Sequence, residues 1–453
     1  MRKFKVILIN LNSVPNLEFE PVFPIGAVYV QSYLNQIGVE VKFVDFHLSP
    51  DNFNSLNFLY EEEFDSIAFS LRNVDSMELD SKYYFPYYNE IMTRIVNNAK
   101  KINPSALILL GGGGYSVYHK GLKNTLPFDV GITGNVEEDL FEAIKNHTQK
   151  LDENFRLIEN FLPFEIQFDE KLVKIYLSLG AKQIGLPTRC GGRCPMKCVY
   201  CSYGKIDNKT NITRPITILR NDILQLYNMG VREIFFTDSL FNISLSHAKD
   251  ICKMLIELNL VDFKWSAYAK PTTNLEFIKL ASKSGCNMLM ISFDTFDPKM
   301  LSELRKGFNQ KQAIDFIENC KEWNVSLMGL FLFGGPGENE DSIKETCRLI
   351  NKYFRRGEFF FSFGMRVLPG SRLADLSEIN EEDMIQPLFW PFDEKCFDYV
   401  ITHLDQKFLK FTNLGKITSW RREYKKMNMY LFPNAKEVVL KRDLDVEVGL
   451  INV

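Results

Sequence analysis

Four of the nine cysteines in this 453-residue chain fall in one short stretch, Cys190-Gly191-Gly192-Arg193-Cys194-Pro195-Met196-Lys197-Cys198-Val199-Tyr200-Cys201. Within it, Cys194, Cys198 and Cys201 stand in C-x3-C-x2-C spacing. Thiolates this close along a chain can converge on one metal centre, and soft sulfur ligands select zinc or an iron–sulfur cluster. Three ligands would hold a four-iron cluster and leave one iron open to a small molecule. The plainer alternative is a structural zinc that uses Cys190 as fourth ligand. The loop follows an expected strand at 183–188 rather than a zinc-ribbon hairpin, which favours the cluster, with Cys190 left out. The other five cysteines are scattered and the total is odd, a pattern that fits a reducing compartment better than disulfides.

The elements that must position this loop alternate in type. Apolar runs at 5–10, 39–45, 66–70, 106–110 and 129–133 read as strands. Helical patterns at 24–36, 88–101 and 137–145 lie between and after them, Pro24 near the start of the first and Gly38 just past its end. Strands separated by helices imply a parallel doubly wound sheet whose ligands sit at the strand carboxyl ends. Residues 151–179 mix charge, Phe and Pro without periodicity and read as a connector. A second alternation follows, with strands at 183–188, 233–237, 264–269, 288–293, 326–333 and 359–367. Six strand–helix units point to a partial β/α barrel with its site at the strand carboxyl ends. The expected parts are residues 1–150, the connector, a barrel over 180–375 and a cap over 376–453.

Composition narrows the function. The hydrophobic fraction of 45% and charged fraction of 25% are those of a globular protein and exclude disorder or collagen. Lys and Arg number 54 against 57 Asp and Glu, so no basic field argues for nucleic acid or an acidic membrane surface. With 38 Phe and 18 Tyr, the chain can furnish a large core or an aromatic-lined cavity. No apolar run reaches the ~18 residues of a membrane span. The start, Met1 to Asn10, reads as a first strand and not a signal peptide, so a cytoplasmic location is expected.

The cysteine loop after the first barrel strand, with Tyr200 just before its last cysteine, resembles the radical S-adenosylmethionine (SAM) superfamily. The resemblance implies that Cys194, Cys198 and Cys201 bind a [4Fe–4S] cluster. Its open iron would chelate SAM, and reduction by an external electron donor would yield a 5′-deoxyadenosyl radical. Other strand ends match in order: Asp238 and Ser239, Ser292 and Asp294, Gly334 and Gly335 before Glu338, and Arg366 to Pro369. With Tyr200 these are the implied SAM contacts, although Asp238 and Asp294 could instead be helix caps and Gly334 to Gly337 a tight turn. Arg305-Lys306-Gly307-Phe308 also recurs in relatives.

The first 150 residues resemble the cobalamin-binding domain of one branch of that superfamily. Pro24-Ile25-Gly26-Ala27, Gly111-Gly112-Gly113-Gly114-Tyr115-Ser116 and Gly134-Asn135-Val136-Glu137-Glu138 carry the likeness. The implied cobalamin contacts are Gly112, Gly113, Gly114, Ser116, Gly134 and Glu137. A D-x-H-x-x-G motif is absent; Asp45-Phe46-His47 comes closest, but Pro50 stands where Gly should be, so His47 is expected to be a loop histidine. Leu71-Arg72-Asn73-Val74-Asp75 resembles a loop that packs an Arg under the corrin, which implies contacts from Arg72 and Asn73; an Arg72–Asp75 surface pair is the alternative. The family implies methylation of an unactivated or aromatic carbon of a small molecule or peptide. Rearrangement or cyclisation by the same cofactors is the runner-up, and a cobalamin or metal sensor without turnover is a third reading. The basic run Arg421 to Lys426 reads as a solvated helix face, and Trp390, Phe392 and Tyr399 as core.

Overall fold

The computed structural model describes residues 3–11, 21–48, 55–61, 63–79, 84–134, 136–147, 163–190, 194–206, 212–377, 379–409 and 414–431. The first sheet contains β1 (Lys5–Asn10), β2 (Glu40–Asp45), β3 (Ser66–Ser70), β4 (Leu107–Gly111) and β5 (Val130–Gly131). All its pairings are parallel, in the order β2-β1-β3-β4-β5. Helices cover both faces, which is why these strands read as continuous apolar runs. Ile7, Ile9, Ile67, Phe69, Ile108 and Leu110 pack to one side, and Val6, Leu8, Ala68, Leu107 and Leu109 to the other. The winding reverses between β1 and β3, which opens a crevice at their carboxyl ends.

The second sheet runs β6 (Ile184–Leu186), β9 (Glu233–Phe236), β10 (Lys264–Tyr268), β11 (Cys286–Asp294), β12 (Leu327–Phe333) and β13 (Phe359–Phe363), again all parallel. Between β6 and β9 the chain adds a short antiparallel pair, β7 (Arg189–Cys190) with β8 (Ile212–Thr213), which periodicity does not reveal in strands of two residues. Burial alternates along the strands. Phe331, Phe333, Phe361 and Phe363 are buried in one core with Ile251, Ile278, Phe316 and Ile343 of the crossover helices. Leu330, Leu332, Phe360 and Ser362 alternate with them on the concave face and stay half-buried or exposed. The helices start on side-chain caps: Ser244, Asn274 and Asp297 each accept a backbone N–H three residues on, and Asn309 and Asn339 form reciprocal capping boxes.

Two expectations need correction. The last barrel strand ends at Phe363 rather than 367, because Gly364 turns left-handed (φ 81°) and the chain leaves the sheet. The connector is ordered where described: Asp169 caps a helix, Glu170–Ser178, by accepting from Leu172 N. A fully buried ion pair anchors the segment before it, since Arg214 donates to Phe164 O at 2.7 Å and Asp222 accepts from Ile166 N at 2.9 Å. Its first part, 151–162, lies outside the described residues. The cap forms helices of its own, Lys395–His403 and Leu414–Leu431 among them.

The cap's Phe392 stacks on Tyr424 with ring centres 4.1 Å apart, and both belong to the main core. Trp390 is buried and Tyr399 packs against the core. Along the basic run, Arg421 pairs with Asp398, Lys425 with Glu394, and Arg422 and Lys426 with Glu423, as a solvated face should. The two sheets are joined by Tyr176, whose hydroxyl donates to Asp45 Oδ2 at 2.7 Å, and by Lys120–Glu381 at 2.6 Å. Among the described residues, no helix is long and apolar enough to cross a membrane.

Candidate functional site

The cysteine loop leaves β7, where Cys190 is buried at 1% exposure, while Cys194, Cys198 and Cys201 are half-buried. Gly191, Gly192 and Arg193 lie outside the described residues. The loop is pinned at Val199, whose N–H donates to Leu304 O at 3.3 Å and whose carbonyl accepts from Leu373 N at 2.9 Å. Cys201 N donates to Cys198 O at 3.1 Å, which turns the two sulfurs toward one neighbourhood. Burial pushes the Cys201 thiol up to about 11 and the Cys198 thiol above its ordinary value. Cys201 lies close enough to Cys198 and Cys194 to feel both thiols, and three neighbouring sulfurs on one loop are the donor set that an iron–sulfur cluster takes. Among the described residues, no three His, Cys, Asp or Glu side chains are placed to hold a single metal ion; three thiolates on three irons of a cluster do not need to be.

Around this loop the implied SAM contacts fall into two groups. Tyr200, Ser292 and Asp294 face the loop's side of the barrel mouth. The Tyr200 hydroxyl donates to Asp294 Oδ2 at 2.6 Å, and Ser292 is half-buried on the concave face of β11. The others are engaged elsewhere. Asp238 caps no helix; it accepts from Thr188 N at 3.0 Å and Arg189 Nε at 3.4 Å and so braces the turn that leads into the cysteines, with Ser239 half-buried after it. The N–H groups of Gly334 and Gly335 both point at the Glu338 carboxylate. Gly334 is left-handed (φ 90°), and a Cβ there would lie 2.7 Å from the Phe392 ring, so the cap demands that glycine. Pro369 is buried.

Arg366 departs most from expectation. Its guanidinium is 6% exposed and spent within the protein. Nε and Nη2 donate to Asp75 Oδ2 at 3.1 and 2.9 Å, and further bonds reach Val367 O, Leu388 O and Met384 O. The alternative of an Arg72–Asp75 surface pair is therefore overturned. Asp75 faces inward to Arg366, and Arg72 and Asn73 are left exposed.

Between the carboxyl ends of the two sheets lies a cavity of about 830 Å³. Arg72, Gly112, Gly113, Ser116 and Gly134 line it from the first sheet, and Arg189, Tyr203, Thr237 and Tyr268 from the barrel side. The helix that begins at Tyr203, just past Cys201, packs beside the helix Gly113–Lys123, so the cavity reaches from the glycine loop to Arg189 and Tyr203, which flank the cysteine loop. Gly26, also on its wall, has nothing within 4 Å of where a Cβ would stand, which leaves a cradle open to a ligand. Gly114 is not among the lining residues; its backbone stacks on Arg72 and Asn73. Glu137 lies in the first turn of the helix Val136–His147, and Asn135 lies outside the described residues. No histidine lines the cavity among the described residues. His47 instead stacks on Tyr176 with ring centres 5.8 Å apart.

Gly112 makes the glycine loop possible. Its φ is 99°, and a Cβ would stand 2.5 Å from Leu71 O. The G112A variant is expected to lose about 1–3 kcal/mol from the backbone conformation alone, with the Arg72 loop pushed off β4. A thermal midpoint equal to wild type would refute this.

Sequence reasoning missed Lys306 as a site residue, although its tetrapeptide stands out, because nothing local announces that a lysine will be buried. It also missed Tyr268, which its place at the end of β10 could have flagged.

Comparison with known proteins matches residues 188–350 to the radical SAM superfamily and residues 20–144 to the B12 binding domain. An uncharacterized methyltransferase of Pyrococcus horikoshii is 29% identical over 164 residues, 35% of this chain and 35% of its own length. The tryptophan 2-C-methyltransferase of Streptomyces laurentii is 25% identical over 195 residues, 40% of this chain and 32% of its own. The chain thus spans about a third of the length of each of these relatives. Among solved structures, TsrM of Kitasatospora setae with cobalamin and a [4Fe–4S] cluster bound superposes with a TM-score of 0.76 at 16% identity, over 96% of this chain and 100% of that one. OxsB with aqua-cobalamin and SAM bound gives 0.62 at 16% identity, over 88% and 56%. These likenesses are of fold.

Proposed function

We propose that this chain, which belongs to the radical SAM superfamily and carries a B12 binding domain ahead of its radical SAM domain, is a cobalamin-dependent C-methyltransferase acting on a small molecule or peptide. The observation that carries the proposal is the single cavity bounded by the carboxyl ends of both sheets, with the glycine loop on one wall and Tyr203, beside the cysteine loop, on the other. Cys194, Cys198 and Cys201 would hold the [4Fe–4S] cluster, with SAM beside Tyr200 and Ser292. Gly112, Gly113, Ser116, Gly134 and Arg72 would receive cobalamin. When bound, these groups supply the methyl-carrying and one-electron chemistry that side chains lack.

The chain's own work is placement and shielding. Backbone approach at Gly112 and Gly113 brings a flat ligand against the sheet edge. Arg72 puts a fixed charge on the cavity wall where no described histidine offers an imidazole. Thr237, Phe235 and Tyr268 close the barrel side and keep water from the reacting carbon. The named relatives act as methyltransferases, and the tryptophan enzyme methylates an aromatic carbon, which supports an aromatic or unactivated carbon here.

The product ratio tests the reading. Anaerobic protein given SAM, an electron donor, cobalamin and a candidate substrate should yield methylated product, S-adenosylhomocysteine and 5′-deoxyadenosine in roughly equal amounts. Methylated product without 5′-deoxyadenosine would point instead to polar transfer to a nucleophilic carbon and would overturn the radical route. An altered but unmethylated product would favour rearrangement or cyclisation. No cleavage of SAM under reducing conditions would leave a sensor.

A further inference from the structure

Lys306 is 2% exposed, and no other lysine among the described residues is buried. Its Nζ donates to Asp294 Oδ2 at 2.6 Å and to the Tyr200 hydroxyl at 3.1 Å, and its charge lies close enough to Cys198 to act on that sulfur. Two of the ammonium's three protons are thus fixed by the strand end and the cysteine loop. The chain bends its backbone to achieve this. Asp294 and Arg305 both adopt left-handed φ, 61° and 54°, although neither is glycine, and Gly307 follows at 66°. Such conformations persist only where the surroundings over-determine them, and they gather at functional sites. The turn is pressed onto the cysteine loop: a Cβ on Gly307 would lie 3.2 Å from Met196 Cε, and Leu304 O accepts from Val199 N.

A purely structural ion pair would be complete with Asp294 alone. This one also fixes its cation on Tyr200, which stands between two cysteines that the proposed function makes cluster ligands. A buried positive charge beside those sulfurs stabilises the more negative, reduced state, and the low dielectric enlarges the effect. We infer that Lys306, aimed by Asp294 and Tyr200, is a positioning residue that acts through Cys198 to raise the reduction potential of the cluster. The step is one electron from an external donor to the cluster; no bond forms or breaks at the lysine, and its proton stays in place. The inference rests on the proposed function for the presence of the cluster.

The test is potentiometric titration of the full-length, anaerobically reconstituted protein, followed by electron paramagnetic resonance without SAM or substrate. K306M should lower the midpoint potential, and K306R should restore most of the shift. D294N should raise it, because the lysine's charge loses its counter-ion. Iron content shows whether each variant is loaded. Unchanged midpoints in iron-replete K306M and D294N would overturn this inference alone. Loss of iron in both variants would overturn it too and make the pair a scaffold for the loop. Wild-type protein that takes up no iron would overturn the proposed function first.

Discussion

Replacing Cys194, Cys198 and Cys201 together by alanine should abolish iron binding, from about four irons per chain to none, and with it the broad visible absorbance of thiolate-to-iron charge transfer. No other described side chain is placed to take over. Lys306 and Asp294 beside the loop are already paired, and the nearest remaining thiol, Cys190, is held in β7 opposite Ile212 with 1% of its surface exposed. Cys190→Ala should therefore keep its full iron content and lose only a little stability as a core truncation. The measurement is iron quantitation with the absorbance spectrum after anaerobic reconstitution. Loss of the cluster in Cys190→Ala alone, with one of the other three dispensable, would reverse the ligand assignment.

The second large effect is at Arg366. R366M leaves the Asp75 carboxylate buried with its cation removed, in a pair whose side chains are 4% and 0% exposed. Breaking such a pair from one side costs about 3–5 kcal/mol, because the remaining buried charge keeps only the Met77 N–H, at 2.8 Å, in place of a cation. The double variant R366M/D75L should recover much of that loss, since removing both charges removes the orphan. Asp75 shares a loop with Arg72, so the single variant should also retain cobalamin poorly through gel filtration. Denaturant midpoints of wild type, single and double variants decide the matter. A single variant as stable as wild type would mean that neither the ion pair nor the three carbonyl-facing bonds of the arginine hold the cap.

What the sequence determined by itself was everything whose cause is local. Apolar periodicity placed the strands of both sheets to within a few residues, because a strand buried on both faces needs an unbroken apolar run. The cysteine spacing and the glycine loops were legible because ligand spacing and left-handed turns are properties of neighbouring residues. Gly112 is an example: the run of glycines marks a place where a φ of 99° is permitted, although the residue type does not say which glycine of the run adopts it. The two-residue strands β7 and β8 and the helix Glu170–Ser178 escaped, being too short to show a period.

Tertiary structure decided the partners of the charges. Arg366 and Asp75 lie 291 positions apart, and no spacing rule can pair them. Asp75 looked like a surface partner for Arg72 three residues away until packing turned it inward and left Arg72 on the cavity wall. Lys306 looked like a turn lysine until Asp294, Tyr200 and Cys198 closed around it. Whether a charge is solvated or buried depends on what other segments bring to it. That is a through-space property, and it makes the difference between a surface turn and a functional site.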